Sequence, residues 1–321
     1  MRLVTYRAGG FPAGRLGVML DRQGLVLDAQ AAHQRSIGSP HPHFGSMLDL
    51  IEGGDAALAA LRSLVKAHDP ADEVTLAGTG DLLAPIPLPP QMRDCLCFKE
   101  HIVNAIDRRN LIDGRAERTP EQHAKIDHFF STRPYWYKCN RFAFVGPDTV
   151  VKWPPFSLRM DYELEVAVVI GKTGRNISKN DANTHIFGYT IFNDLSARDV
   201  QPDEMLALGP ARSKDFDGAN IIGPCIVTAD AFDPINAKMT SRINGVVQGG
   251  GVMGSMQYSF ADLIAFISMS ETLHAGELLG SGTIGTGCGL ETGRLLETGD
   301  IVELEVEGIG ILRNQIVATH G

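Results

Sequence analysis

The chain has 321 residues, of which 44% are hydrophobic and 21% charged, enough to bury a substantial core, and its formal net charge is −9. That balance excludes a nucleic-acid or anionic-membrane surface, which needs clustered Lys and Arg, but leaves room for a small anionic substrate wherever local cations outvote the total. No apolar run approaches the ~20 residues that span a bilayer, and "MRLVTYRAGGFPAG" lacks an apolar stretch ending in a small-residue cleavage site, so a cytoplasmic protein without membrane contact is expected.

The 35 glycines and 17 prolines imply many turns and predict an α+β, β-rich fold. Residues 1–83 alternate short apolar runs ("RLGVMLD", "GLVLDAQ") with turn residues before a helix in "AALAALRSLVKAHD", which reads as a small N-terminal β-rich domain. The proline-rich "APIPLPPQ", residues 84–91, reads as an extended linker to a larger domain over 92–321.

In that larger part "DCLCF" predicts a short strand and "KEHIVNAIDRRN" a helix. A second helix is predicted from "TPEQHAKIDHFF", with Thr119 as cap, Pro120 at the first helical position and Gln122 closing a capping box. The polar "LIDGRAER" between them makes 102–133 a candidate lid over a site, or a fixed surface excursion. From Arg141 onward strand-like stretches dominate, with helices expected only in "SARDVQPDEML" and "FADLIAFISMSE". The five cysteines, Cys95, Cys97, Cys139, Cys225 and Cys288, are scattered without metal-ligand spacing and read as buried thiols.

The chemistry concentrates in "RMDYELEVAVVIGKTGRN". Tyr162, Leu164, Val166 and Val168 alternate as one face of a strand, so Glu163 and Glu165 share the opposite face with Ala167 and Val169. Neighbouring carboxylates on a buried face need a partner or a cation. Asp194 ends the predicted strand "YTIFND", where it can cap a following helix that stacks Arg198 and Gln201 behind it; an N-cap with an ordinary ion pair reads the same segment. Three carboxylates without thiolate or imidazole at similar spacing select Mg²⁺, Mn²⁺ or Ca²⁺ over Zn²⁺.

Taken in order, "DYELEVAVVIGK", "FGYTIFNDLSARDVQ", "LGPARSKDF" and "LETGDIVELEVEGIGILRNQI" resemble the fumarylacetoacetate hydrolase family over residues 92–321. The resemblance implies a mixed β-sheet roll, a homodimer, and a divalent metal held by Glu163, Glu165 and Asp194, with Asp94 as a fourth ligand. It implies substrate-side roles for Arg198, Gln201 and Lys214, a carboxylate contact from Thr283 in "SGTIGTGCG", and a catalytic His101. Where many shorter members place a glutamate three residues after that histidine, this chain has Asn104; Glu297 in "GRLLETGD" is the expected replacement, its plain alternative being an exposed turn residue. Met205 stands where the fumarylacetoacetate hydrolases proper carry a tyrosine. Tyr135 and Tyr137 of "PYWYK" either wall the pocket or belong to the core. The run "GSGTIG" also fits a dinucleotide pattern, but that pattern must open a helix and "TGCGLETG" is a poor one.

The implied substrate is a small anionic dicarbonyl or 2-oxo acid. The first expectation is metal-dependent hydrolysis of a C–C bond in an acylpyruvate-type acid. The alternatives are a metal-dependent decarboxylase or tautomerase of an oxaloacetate-like acid, and a non-catalytic metal-binding member of the family.

Overall fold

Leu164, Val166, Val168 and Ile170 enter one apolar core while Ala167 and Val169 enter another, so the strand Leu164–Ile170 is buried along its whole length. A strand covered on both faces reads as a nearly continuous apolar run, which is why the single charge inside it, Glu165, stands out. The computed structural model describes residues 1–319 apart from 21–23, 70, 72–73, 78–81 and 113.

Among the described residues this strand lies inside an eleven-stranded mixed sheet. On one side it pairs antiparallel with Ile186–Asp194, which pairs with Asn220–Thr228; on the other it pairs with Leu278–Gly280, which runs parallel to Met92–Cys95. Trp136–Lys138 closes that end. The N-terminal strands extend the other end, because Arg2–Ala8 pairs with Asn220–Thr228 and continues through Phe11–Met19 and Leu25–Asp28. The strands Arg2–Ala8, Phe11–Met19 and Leu25–Asp28 thereby belong to the same sheet as strands that come after the proline-rich stretch.

A second sheet of five strands runs in the order Val246–Val252, Lys238–Ile243, Ile301–Val306, Gly310–Ala318 and Val150–Trp153. Met239, Ile243, Val302, Leu304, Val306, Leu312 and Ile316 pack from it against Tyr162, Leu164, Val166 and Val168, forming the larger core. The smaller core, on the other face of the long sheet, gathers Leu3, Leu16, Phe44, Leu50, Ile51 and Leu61 around Ala167, Phe192 and Ile222. No helix among the described residues is long and apolar enough to cross a membrane.

The two helices expected before residue 133 form over Lys99–Ile112 and Pro120–Thr132, the second with the Thr119 and Gln122 capping box in place. The helix expected in "SARDVQPDEML" is shorter. Ser196–Ala197 pairs with Met160–Asp161 as strand, and the helix begins only at Gln201. Asp194 is therefore the last residue of a strand and caps nothing.

One buried ion pair anchors the strand that carries Asp94. Arg93, 3% exposed, bonds the equally buried Glu277 and also reaches Glu271. Replacing Arg93 with Ala leaves Glu277 charged and unpaired in the interior, and a loss of about 3–5 kcal/mol is expected. Urea denaturation followed by tryptophan fluorescence checks this, and an unchanged midpoint would contradict the anchoring role.

Candidate active site and metal centre

Side chains alternate along a strand, so Asp94 shares a face with Met92, Glu165 with Ala167, and Asp194 with Phe192. Met92, Ala167 and Phe192 all belong to the smaller core. The three carboxylates consequently rise from one face of one sheet, and an oxygen from each lies within 4.8 Å of the others. Between the strands bearing Asp94 and Glu165 runs Leu278–Gly280, and its last residue has no side chain to occupy the gap. A Cβ built on Gly280 would lie 2.5 Å from Asp94 Oδ1 and 3.2 Å from Glu165 Oε2. Two residues on, the Gly282 N–H donates to the same two oxygens, at 3.2 and 3.0 Å. The Thr283 hydroxyl donates to Glu165 Oε1 at 3.2 Å.

Cations enter from the opposite side. Lys214 Nζ donates to Glu163 Oε2 at 2.5 Å and to Asp194 Oδ2. Arg198 Nη2 lies 2.7 Å from Glu163 Oε1, while its Nε donates to Asp161 Oδ2 at 2.8 Å. Asp161, fully buried, also accepts the N–H groups of Gly289 and Leu290 at 2.7 and 2.9 Å, so one carboxylate fixes both Arg198 and the start of the short helix Gly289–Thr292. Arg198 Nη1 donates to Gln201 Oε1 at 3.0 Å. The Tyr137 hydroxyl donates to Asp194 Oδ2 at 2.5 Å, which makes this tyrosine part of the site.

Five carboxylates, Asp94, Asp161, Glu163, Glu165 and Asp194, are thus buried around two cations, Arg198 and Lys214. The imbalance is visible in their acidities. Burial, aided by the Glu163 charge, raises Asp94 to about 6 against the pull of Lys214. Burial with the charges of Glu163 and Asp94 raises Asp194 to about 8, and burial with the Asp94 charge holds Glu165 well above the usual carboxylate range. Glu163 goes the other way, because Lys214 and Arg198 outweigh its burial.

A hard divalent cation fits this shortage of positive charge. The donors are all oxygens, and Asp194 Oδ1 is buried without a hydrogen-bond partner. Asp94, Glu165 and Asp194 form the set that would hold it. Glu163, expected beside them, has both oxygens in ion pairs and would give up Lys214 to join as a ligand.

His101 sits on the first turn of Lys99–Ile112, 6% exposed, on the wall of the cleft. Its Nδ1 lies 2.7 Å from Glu291 Oε1. A carboxylate accepts only, so Nδ1 carries the proton and Nε2, 4.0 Å from Glu163 Oε1, is the nitrogen left for chemistry. Glu291 is itself held by Asn104 Nδ2 at 3.0 Å, the Thr286 N–H at 2.8 Å and the Cys288 thiol at 3.3 Å. The carboxylate on His101 is therefore Glu291, and the expected Glu297 is corrected. Glu297 has an 80% exposed side chain, with its carboxylate 3.7 Å from Arg294, because the turn before Gly299 carries it to the surface. Asn104 occupies the position of the missing glutamate and donates to its replacement.

The site opens into a cleft of about 800 Å³ lined by Asp94, His101, Glu163, Arg198, Lys214 and Thr283 at its polar end. Tyr135, Trp136 and Tyr137 also line it, as do Gln201 and Met205.

Gly280→Ala is expected to leave the strand intact, since the backbone there is not left-handed, but to force Asp94 and Glu165 apart. Calorimetric Mn²⁺ titration should show at least a tenfold weaker site, about 1.4 kcal/mol; unchanged affinity would remove the carboxylate pair from the centre. The raised pKa values generate a second expectation. The stabilisation from protonated Asp94 and Asp194 is fully present below the unfolded carboxyl value, about 4, and is lost as pH rises through about 6 and about 8. Metal-free protein should therefore lose thermal stability from pH 5 to 8.5, and Mg²⁺ should restore most of it at the alkaline end, as measured by calorimetry.

Residues 92–317 match the family described as fumarylacetoacetate (FAA) hydrolase C-terminal. The chain is 30% identical over 308 residues to the oxaloacetate tautomerase YisK of Bacillus subtilis (strain 168), covering 94% of this chain and 95% of that protein. It is 31% identical over 325 residues to the mitochondrial oxaloacetate tautomerase FAHD2A of Homo sapiens, covering 99% and 92%. Among solved structures, the fumarylacetoacetate hydrolase from the psychrophile Exiguobacterium antarcticum is similar with a TM-score of 0.74 and 27% identity over 99% of both chains. A maleylpyruvate hydrolase from Sphingobium sp. SYK-6 shares the fold, with a TM-score of 0.72 at 21% identity, over 99% of this chain and 100% of that one.

Proposed function

Because the chain belongs to the fumarylacetoacetate hydrolase family, we propose that it is a divalent-cation-dependent tautomerase, interconverting the keto and enol forms of a small 2-oxo acid such as oxaloacetate. The observation that carries this reading is the His101–Glu291 pair, one oriented base facing a cluster of carboxylates built for a hard cation. Hydrolysis, the first expectation from the sequence, would use the same base to activate a water. Full-length similarity to two oxaloacetate tautomerases supports proton transfer over that reaction.

Asp94, Glu165 and Asp194, with Glu163 as a further ligand, would hold a divalent cation, which would supply the Lewis acidity that acidifies the C–H beside a 2-oxo group. His101 Nε2 takes that proton from C3. Glu291, on the far nitrogen, stabilises the imidazolium that results. The same proton then passes from Nε2 to the 2-oxo oxygen, so nothing is gained or lost overall. In the metal-free protein Asp194 and Glu163 hold Lys214 in its charged form against its burial, and it lines the cleft as a cation. Arg198 and Gln201 stand ready as donors for a substrate carboxylate.

The test is ultraviolet absorbance of enol-oxaloacetate decaying in the presence of protein and Mg²⁺. His101→Ala is expected to lower kcat by about 10²–10⁴-fold while Mn²⁺ binding is retained, and Glu291→Gln to lower kcat in the same direction. Turnover insensitive to His101 would sink the mechanism. Release of CO₂ or of a cleaved acid would move the assignment to decarboxylase or hydrolase.

A further inference from the structure

The cleft is larger than a four-carbon acid fills. A volume of about 800 Å³ is the size of pocket that encloses a drug-sized ligand. The groups already assigned to chemistry occupy one polar end; Arg109, Asn110, Arg115 and Asp203 add polar groups elsewhere on the wall, and much of the remainder is apolar. Ile102 and Ile106 come from one helix and Phe129 from the next, while Met205, Leu206 and Leu208 come from the short helix Gln201–Leu206 and the turn after it.

The last three residues are the unusual ones. Met205 is 54% exposed, Leu206 88%, and Leu208 fully exposed. Large apolar side chains set together in water commonly mark a ligand groove or an interaction surface. Here they lie on the same cleft as His101 and Lys214, with no break in the cavity between them. Helix Gln201–Leu206 also begins at the residue that accepts from Arg198, so the apolar rim is tied directly to the polar floor.

We infer that the substrate is a 2-oxo acid bearing an apolar tail of several carbons beyond the reacting centre, bound with its oxo-acid end on the polar floor and its tail along Met205, Leu206 and Leu208. This rests on the proposed reading of the floor as an oxo-acid site, and it adds the class of substituent. The tail contributes affinity by leaving water, so the site discriminates by chain length.

N-alkyl oxamic acids, methyl to hexyl, test this directly. Each carries a carboxylate next to a carbonyl and cannot enolise there. Calorimetric affinity in the presence of Mg²⁺ is expected to rise about three- to fourfold with each added methylene. In the Leu206→Asp, Leu208→Asp double variant the hexyl-to-methyl affinity ratio should collapse toward unity. Both positions are on the surface, so the fold tolerates the change, and a ratio taken within one protein cancels any general loss. A flat series in the unaltered protein overturns the inference. So does a flat series in which the double variant changes the oligomeric mass by light scattering, since the rim is then the contact of a second copy. Length dependence without any oxaloacetate turnover would overturn the tautomerase reading and leave the tail site standing; turnover with a flat series would do the reverse.

Discussion

Everything around this site answers one electrostatic problem, the burial of more carboxylates than the interior has cations to neutralise. An isolated buried carboxylate costs several kcal/mol, so five of them beside only Arg198 and Lys214 require a framework that imposes their positions. That framework is the long sheet. Its hydrogen bonds fix which face each side chain takes, and its packing on both sides keeps Asp94, Glu165 and Asp194 almost wholly out of water. Gly280 then admits the approach of two like charges that any side chain would block. Protons partly settle the charge in the metal-free state, which is the meaning of the raised pKa values of Asp94 and Asp194.

The parts of this arrangement that were legible in the sequence are those governed by local period. Alternation in "YELEVAVV" assigns Glu163 and Glu165 to one face without any knowledge of the sheet, and "TPEQ" announces a helix start that the structure contains. The parts that were not legible depend on chain crossings. Glu291 reaches His101 across 190 positions, from a four-residue helix whose placement depends on Asp161 capturing two backbone N–H groups. No periodicity marks such a segment. Glu297 lies in a similar acidic, glycine-bounded stretch only six residues on, and the sequence offers no physical ground for choosing between the two. Asp161 itself looks like the edge of a strand, and its role emerges only once Arg198 and Gly289 come together. The helix expected after Asp194 failed for a related reason: pairing of Ser196–Ala197 with Met160–Asp161 takes the backbone first.

On the proposed mechanism, charge binding and proton movement are divided between two halves of the site. One half is a rigid sheet face. The other is a helix start, with His101 on Lys99–Ile112, held to Gly289–Thr292 through Glu291. Such a division lets one scaffold support several reactions of 2-oxo acids, because the sheet half can stay the same while the helix half and the cleft rim decide what is admitted and where the proton goes.

The grip on Glu291 has a consequence for handedness. Four donors hold that carboxylate, so the imidazole attached to it cannot turn over and present its other nitrogen. On the proposed mechanism the base therefore approaches the reacting carbon from one wall of the cleft only. A carbon that bears two hydrogens presents them as mirror-related choices, and a base fixed on one side distinguishes them by position alone. Exchange in heavy water would then label one prochiral hydrogen and spare its twin, writing the asymmetry of the protein wall into a product that has no stereocentre of its own.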